Sequence, residues 1–217
     1  MKKHERDSII KHYTALYHKY GYSPTSIGWP KGRQNLRFQV LSEIGNLNNS
    51  KILDVGCGFG HFVSFLRSNK IKTKYVGVDI NPLFVEIAKE KNPNFTFQVR
   101  DIEKRRFGQH FDWVFAIGTT NKAGSYKYIA NLLKEMFRIS KKGIAMDFMS
   151  TYVDFRRPGS FHASPECVFK IAKKLSKRVV LRHDYLPFEF CVYIYKNNKL
   201  NDNQTFVDFP ISSSKTA

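Results

Sequence analysis

The stretch KILDVGCGFGHF, from Lys51 to Phe62, decides the fold that we predict for this chain. Residues 51–55 are mostly apolar, which is typical of a buried strand. Three glycines follow at alternate positions, Gly56, Gly58 and Gly60, and an amphipathic stretch after them predicts a helix. Because glycine lets the backbone approach a ligand closely, this order of strand, glycine loop and helix predicts a site for a nucleotide-like molecule.

The rest of the sequence alternates between strand and helix patterns. Strands are predicted at 51–55, 74–80, 95–101, 111–118, 142–150, 178–185 and 188–196, and helices at 1–20, 34–44, 60–68, 82–91, 126–140 and 164–176. This alternation predicts an α/β fold with a doubly wound, mostly parallel sheet, and the short turn between the last two strands makes the last strand antiparallel. We expect an N-terminal helical flank or lid (1–48), a ligand-binding domain (49–197) and a loose polar tail (198–217).

Composition limits the class of protein. The chain has 217 residues, of which 42% are hydrophobic and 15% aromatic, as in a globular domain. It has no run of 18 apolar residues and no apolar signal segment, so we expect no membrane span and a cytoplasmic location. The three cysteines, Cys57, Cys167 and Cys191, are too scattered to predict a disulfide framework or a metal site.

The formal net charge is +18, which suggests nucleic acid, an anionic membrane or an acidic substrate as a partner. The lysines, however, are spread along the whole chain, and only residues 103–107 form a tight basic cluster. We therefore favour a solvated, lysine-rich surface over a nucleic-acid interface.

Acidic residues distinguish the glycine loop from a dinucleotide site. A dinucleotide motif places its third glycine where this chain has His61, and Asp54 stands two residues before the first glycine. A carboxylate there would repel a pyrophosphate and attract an ammonium group. Asp79 ends the second strand, where it can accept ribose hydroxyls, and Asp101 ends the third, where it can meet an adenine edge.

The motifs LDVGCGFG, VGVDINP, VRDIEK and FDWVFAIG, in this order, resemble those of class I S-adenosylmethionine-dependent methyltransferases, over residues 51 to about 195. The resemblance implies a seven-stranded Rossmann-like sheet, S-adenosylmethionine as the methyl donor, S-adenosylhomocysteine as the product, and no metal. It also implies a set of donor-binding residues. These are Asp54, Gly56, Gly58 and Gly60 near the methionine part, Asp79 at the ribose with Ile80 beside it in sequence, Asp101 and Ile102 at the adenine, Ile117 and Gly118 on the donor or acceptor side, and Gln34 and Arg37 toward the donor carboxylate.

Four residues are candidates for the base that would accept a proton from a hydroxyl or amine. They are His162, in the loop after the fifth strand, and His183, Tyr185 and Glu189, around the turn after the sixth. If the sixth strand is parallel to the first five, all four lie on the ligand edge of the sheet. A histidine titrates near neutral pH and suits this role, although a structural role for either histidine stays open.

Two further groups are candidates for binding the methyl acceptor. Arg156 and Arg157 would clamp a carboxylate, a phosphate or an acidic sugar, unless they belong to a solvated loop. Tyr17, Tyr22 and Trp29, in the aromatic N-terminal segment, would cover a sugar or another ring. The alternative is that these aromatic residues pack the first helix onto the domain.

Three functions remain open. We favour a methyltransferase that acts on a small molecule or a saccharide, with oxygen as the favoured acceptor atom. The second is an RNA methyltransferase that modifies a ribose oxygen or a guanine nitrogen, which would explain the charge. The third is a non-catalytic protein that binds the donor. The stretch AIGTTNK, residues 116–122, lacks the Asn-Pro-Pro-aromatic motif of adenine and glutamine amino-methyltransferases.

Overall fold

The computed structural model describes residues 2–29, 33–104, 107–122, 124–156 and 158–197. The strands are β1 (Ser50–Val55), β2 (Thr73–Asp79), β3 (Thr96–Val99), β4 (Phe111–Ala116), β5 (Ser140–Met149), β6 (Val179–Leu186) and β7 (Glu189–Tyr195). The helices are α1 (Lys3–Tyr20), α2 (Gln34–Ser42), α3 (His61–Ser68), α4 (Pro82–Lys91), α5 (Tyr126–Ile139) and α6 (Pro165–Lys173), with a 3₁₀ turn at Pro24–Ile27. Arg157 and the predicted tail at 198–217 lie outside the described residues.

The seven strands form one sheet in the order β3-β2-β1-β4-β5-β7-β6. Strands β1 to β5 run parallel, whereas β7 lies between β5 and β6 and is antiparallel to both. The predicted α/β fold, a Rossmann-like doubly wound sheet with its last strand antiparallel, is thus confirmed. Its element boundaries were less accurate, because the predicted third strand and last helix extended beyond Thr96–Val99 and Pro165–Lys173.

Apolar side chains cover both faces of the sheet. On one face, α5 and α6 pack on a core that includes Leu53, Val114 and Phe190. On the other face, α2 and α3 pack on a core that includes Phe62 and Phe115. Since both faces are covered, β4 and β7 are buried over nearly all their length, which explains their continuous apolar sequences.

The strand order reverses between β1 and β4, and ligands of open α/β sheets bind at the carboxyl ends of the strands at such a point. Helix α1 lies beside this edge. Its Thr14 hydroxyl is 3.2 Å from Nδ2 of Asn81, which follows β2. No residue of α1 is buried, so its inner face covers the site without entering the main core. In the described part of the chain, no helix is long and apolar enough to cross a membrane.

Candidate active site

A cavity of about 1130 Å³, counting its solvent-filled mouth, lies between the carboxyl ends of the first strands and α1. Every predicted donor-binding residue except Gly60 and Arg37 lines it. These residues are Gln34, Asp54, Gly56, Gly58, Asp79, Ile80, Asp101, Ile102, Ile117 and Gly118. Helix α1 adds Ile9, Ile10 and Tyr13, which the sequence interpretation did not assign to the donor site.

Asp54 supplies a buried carboxyl group at the end of β1, where it is 2% exposed. Its Oδ2 accepts a hydrogen bond of 2.5 Å from the Tyr75 hydroxyl, whereas its Oδ1 has no hydrogen-bond partner among the described residues. Burial is the main reason that the pKa of Asp54 is raised to about 7, and the negative charge of Asp79 contributes to this rise. The hydrogen bond from Tyr75 lowers the pKa and so opposes both. A buried oxygen without a partner in a cavity wall suits a cationic group of a ligand.

Asp79 is held rigidly at the end of β2. Its Oδ2 accepts from the backbone N–H of Gly58, and its Oδ1 from the N–H of Asn81, both at 2.9 Å. Burial raises the pKa of Asp79, and these backbone hydrogen bonds oppose that rise. Each carboxylate oxygen has further lone pairs, so Asp79 can still accept hydrogen bonds from ligand hydroxyl groups.

The far end of the cavity is built around Asp101 and Ile102. Asp101 Oδ1 accepts a hydrogen bond of 3.1 Å from the N–H of Glu103, and its Oδ2 is buried without a partner among the described residues. Ile102 is buried, and α5 contributes Tyr128 and Leu132 to the same wall. An apolar slot with one free acceptor suits an adenine ring and its amino group.

The glycines of the loop have different structural roles. Gly58 has a φ of +53°, and a β-carbon there would lie 3.6 Å from Ile27, in ordinary contact. Gly60 has a φ of +77°, and its β-carbon would lie 2.9 Å from Nδ2 of Asn92 and 3.0 Å from Phe97. We therefore revise the role predicted for Gly60, because packing at the start of α3 requires a glycine there and the residue does not line the cavity.

Arg37 and Glu189 form a buried ion pair that the sequence did not predict. Two of the three guanidinium nitrogens, Nε and Nη2, donate to the Glu189 carboxylate, and the guanidinium carbon lies 4.1 Å from the centre of the Trp29 ring. Neither residue lines the cavity. The predicted contact of Arg37 with the donor carboxylate is thus replaced by this pair, and Glu189 is not free to act as a base.

The other three base candidates do not line the cavity either. The His183 ring packs edge-on against Phe190, on the α5 and α6 face, whereas Tyr185 packs on the opposite core. His162 Nδ1 lies 2.9 Å from the carbonyl oxygen of Ser150. The Nε2 atoms of both histidines and the Tyr185 hydroxyl are buried without partners among the described residues.

Of the predicted acceptor-binding residues, Trp29 alone lines the cavity within the described ranges. Tyr17 and Tyr22 pack on Phe59, with ring centres 5.8 and 5.3 Å away, which is the packing alternative left open above. Arg156 is exposed.

Asp147 is a candidate residue that the sequence interpretation missed. It is a 2% exposed acid in β5, and its Oδ1 accepts a hydrogen bond of 2.6 Å from the N–H of Gly118. Burial raises its pKa to about 7, and the charge of Glu189 adds to this rise. A lone acid within the apolar run GIAMDFM was the signal that could have identified it.

Comparisons with known proteins show that the chain is similar to methyltransferases. Residues 52–143, which carry Asp54, Asp79, Asp101 and Gly118, match the family model described as a methyltransferase domain. The chain is 29% identical over 157 residues to the Mycobacterium tuberculosis protein Rv1506c, whose name describes it as a methyltransferase, over 67% of this chain and 92% of that protein. It is 28% identical over 152 residues to erythromycin 3''-O-methyltransferase of Saccharopolyspora erythraea, over 66% of this chain and 49% of that protein.

The fold is shared with solved structures. Magnesium protoporphyrin IX methyltransferase from Synechocystis PCC 6803, solved with bound SAH, superposes with a TM-score of 0.66 at 13% identity, covering 88% of this chain and 96% of that one. The sheet order, the acid at the end of each of the first strands and the methyltransferase-domain match agree with one another. Residues 52–143 therefore form a methyltransferase domain, and the sheet has the fold of S-adenosylmethionine-dependent methyltransferases.

Proposed function

We propose that this enzyme transfers the methyl group of S-adenosylmethionine to a hydroxyl oxygen of a saccharide or another small molecule. One observation supports the binding of this donor. Two buried carboxylate oxygens in one cavity, on Asp54 and Asp101, have no hydrogen-bond partner within the described part of the chain. The donor has an ammonium group at one end and an adenine amino group at the other. Each of these groups supplies hydrogen-bond donors to one free oxygen.

The donor fits the remaining cavity residues in the same orientation. Asp79 accepts the ribose hydroxyls, Ile80 and Ile102 contact the nucleoside, and Gly56 and Gly58 let the backbone approach the methionine part. Gln34 and Arg37 were both predicted to bind the donor carboxylate, and only Gln34 lines the cavity. We assign this contact to Gln34, whose Oε1 lies 3.1 Å from Nδ1 of His61. The bound donor supplies a methyl group on a sulfonium, which is already activated for transfer.

The proposed type of methyl acceptor is inferred from the residues around Gly118. A β-carbon on Gly118 would lie 2.5 Å from Cζ2 of Trp29, so the indole lies directly against the cavity wall after β4. An aromatic ring in this position offers a stacking surface for a sugar or another ring. The similarity to a relative named as an O-methyltransferase of erythromycin supports an oxygen acceptor.

The donor site is tested by thermal unfolding with S-adenosylhomocysteine, S-adenosylmethionine and NAD. A ligand at a hundred times its dissociation constant stabilises by about 2.7 kcal/mol. For a chain of this size, that is a rise on the order of 5–10 °C. We expect this rise with the two sulfur ligands, none with NAD, and its loss in Asp79→Ala. The matched control is Asp184→Ala, which removes an exposed acid that does not line the cavity and should keep the rise.

The acceptor is tested by mass spectrometry. The enzyme and S-adenosylmethionine are incubated with free sugars, glycosylated macrolides, phenols, amines and a structured RNA, and the products are searched for the mass of one added CH₂. Methylation of a hydroxyl in the first three classes supports the proposal. Methylation of RNA alone, with a strong dependence on salt, would replace it with the nucleic-acid alternative, which the net charge of +18 motivates.

A further inference from the structure

A second concave space adjoins the donor cavity, between the first turns of α1 and the start of α5. Its volume is about 1260 Å³, counting its open mouth. Ile9, Lys122 and Tyr128 line both this space and the donor cavity, so the two are neighbours along one wall. Its ionisable side chains, apart from Tyr128, are Lys2, His4, Glu5, Lys122 and Lys127. We call this space the basic groove, because lysines predominate among its charged residues.

Positive charge in the basic groove is not neutralised by the protein. None of the three lysines forms a salt bridge with another described residue. Glu5, the one acid among the described lining residues, accepts a hydrogen bond of 2.8 Å from the backbone N–H of Lys2. The first turn of α5 also forms part of the wall, and the N-terminus of a helix carries a partial positive charge. The groove therefore attracts an anionic group.

The donor cavity has the opposite balance of charge. The acids that line it are Asp54, Asp79, Asp101 and Glu103. Its lining lysine and arginine side chains, among the described residues, are Lys122 and Arg100. S-adenosylmethionine carries a sulfonium and an ammonium group against one carboxylate, so its net charge is positive and suits these acids. The same acids repel a second anion, and an anionic substituent of an acceptor is directed toward the basic groove instead.

Lys122 links the basic groove to the part of the cavity that we assign to the acceptor. It follows Gly118 in the loop after β4, and it lines both spaces. Its Nζ lies 3.4 Å from the carbonyl oxygen of Gly159, in the loop after β5. An acceptor that stacks on Trp29 beside Gly118 can therefore extend an anionic substituent past Lys122 into the groove.

We infer that the methyl acceptor carries a carboxylate, sulfate or phosphate group, and that Lys122 and Lys127 bind this group in the basic groove. This inference rests on the proposed function. The groove selects the acceptor, and its lysines take no part in the transfer of the methyl group. Lys127 lines the groove and does not line the donor cavity, so its substitution tests the groove separately from the donor site.

The test compares a neutral sugar with two acidic counterparts. The three compounds are 4-nitrophenyl β-glucoside, its 6-phosphate and 4-nitrophenyl β-glucuronide, which share the ring and its secondary hydroxyl groups. We expect kcat/KM to be about tenfold higher, or more, for the two acids than for the glucoside, as for one charge-assisted hydrogen bond. This preference should decrease as salt is added, because the groove is open to solvent.

Substitutions of Lys127 locate the preference in the groove. In Lys127→Gln, the ratio of kcat/KM for each acid to that for the glucoside should fall about tenfold. Lys127→Arg keeps the charge and should keep the ratio. The matched control is Lys134→Gln, an exposed lysine on the same helix that does not line the groove, and it should also keep the ratio. Calorimetric titration of the glucuronide and the glucoside into enzyme saturated with S-adenosylhomocysteine repeats the comparison without turnover.

Three outcomes overturn the inference. Equal kcat/KM for the glucoside and both acids would reject it and leave the proposed function standing. A preference for the acids that Lys127→Gln keeps unchanged would also reject it, because another part of the protein would then bind the anion. If no hydroxyl compound is methylated, the proposed function fails, and the titrations still test the groove. Equal affinities for glucuronide and glucoside would then reject the groove as an anion site, and a tighter binding of glucuronide that needs Lys127 would support it.

Discussion

The hydroxyl group of Tyr75 donates a hydrogen bond of 2.5 Å to Oδ2 of Asp54 and leaves Oδ1 of the same carboxyl group buried without a partner among the described residues. Tyr75 lies in β2 and Asp54 in β1, so the contact crosses two paired strands. It fixes the carboxyl group with one oxygen bound to the protein and the other available to a ligand. The first prediction follows from this division.

The affinity for S-adenosylhomocysteine should depend on the ionisation of Asp54. Burial raises the pKa of Asp54 to about 7, and binding of the ligand ammonium group requires the charged form. The dissociation constant should therefore be about thirtyfold higher at pH 5.5 than at pH 8. Calorimetric titration across this range measures it. Tyr75→Phe removes the hydrogen bond that lowers the pKa and should move the midpoint to higher pH, whereas Tyr195→Phe should not. A dissociation constant that stays constant with pH would contradict this prediction.

Alanine substitutions should separate the roles of Gly58 and Gly60. Gly60→Ala places a methyl group against Asn92 and Phe97 at a φ of +77°, so it should lower the free energy of unfolding by about 1–3 kcal/mol. The ligand affinity of the folded fraction should be unchanged. Gly58→Ala should weaken S-adenosylhomocysteine binding more than tenfold, because the new side chain stands in the cavity wall. Urea denaturation and calorimetry measure the two effects, and equal losses of affinity would refute this division.

The buried ion pair between Arg37 and Glu189 should be costly to break from one side. Arg37→Met leaves the Glu189 carboxylate buried without a cation, and the expected loss of stability is about 3–5 kcal/mol. The double variant Arg37→Met/Glu189→Leu should recover most of this loss, since neither charge of the pair remains. The exposed pair of Arg182 with Asp184 is the matched control, and Asp184→Asn should cost less than about 1 kcal/mol. Urea denaturation measures the stability loss of Arg37→Met, of Glu189→Leu and of the double variant. If the loss of the double variant equals the sum of the two single losses, the two residues are not coupled.

Trp29 should contribute to acceptor binding and little to donor binding. Trp29→Ala removes the ring that lies against Gly118, so the KM for the acceptor should rise about tenfold, from the loss of about 1.5 kcal/mol of aromatic contact. The dissociation constant of S-adenosylhomocysteine should stay within threefold, and Trp29→Phe should restore part of the KM. Initial-rate kinetics and calorimetry measure these quantities. A larger effect on the donor than on the acceptor would assign Trp29 to the donor site.

Asp147 should destabilise the folded protein increasingly as pH rises. Its folded-state pKa of about 7 lies above the ordinary value of 3.8, so the native state binds more protons than the unfolded state between these values. The stability that this group contributes is complete below about pH 4 and is lost as pH rises through about 7. Asp147→Asn lacks this titration. Relative to the wild type, its free energy of unfolding should rise by about 2.6 kcal/mol from pH 5 to pH 8. Urea denaturation at both values measures the difference, and an equal difference at both would contradict the raised pKa.

The sequence by itself determined the sheet and the donor end of the cavity. Strands that alternate with helices give parallel strands, and the carboxyl ends of parallel strands meet at one edge. Asp54, Asp79 and Asp101 each stand at or just after the end of a strand, so their proximity follows from their positions in the sequence alone. The glycine loop is equally local, because the backbone turn and the glycines are consecutive.

Tertiary structure decided which of the candidate side chains bind other residues of the protein and are therefore not available to a ligand. Arg37 and Glu189 are 152 residues apart in sequence, and their pairing follows from the insertion of β7 between β5 and β6. Gly60 packs against the side chains of Asn92 and Phe97. Asp147 accepts a hydrogen bond from Gly118, in the loop after the neighbouring strand β4. Contacts of this kind depend on strand order, register and side-chain direction across the sheet. Local sequence patterns do not contain them, because each partner's segment has the same propensities whether or not the other is present.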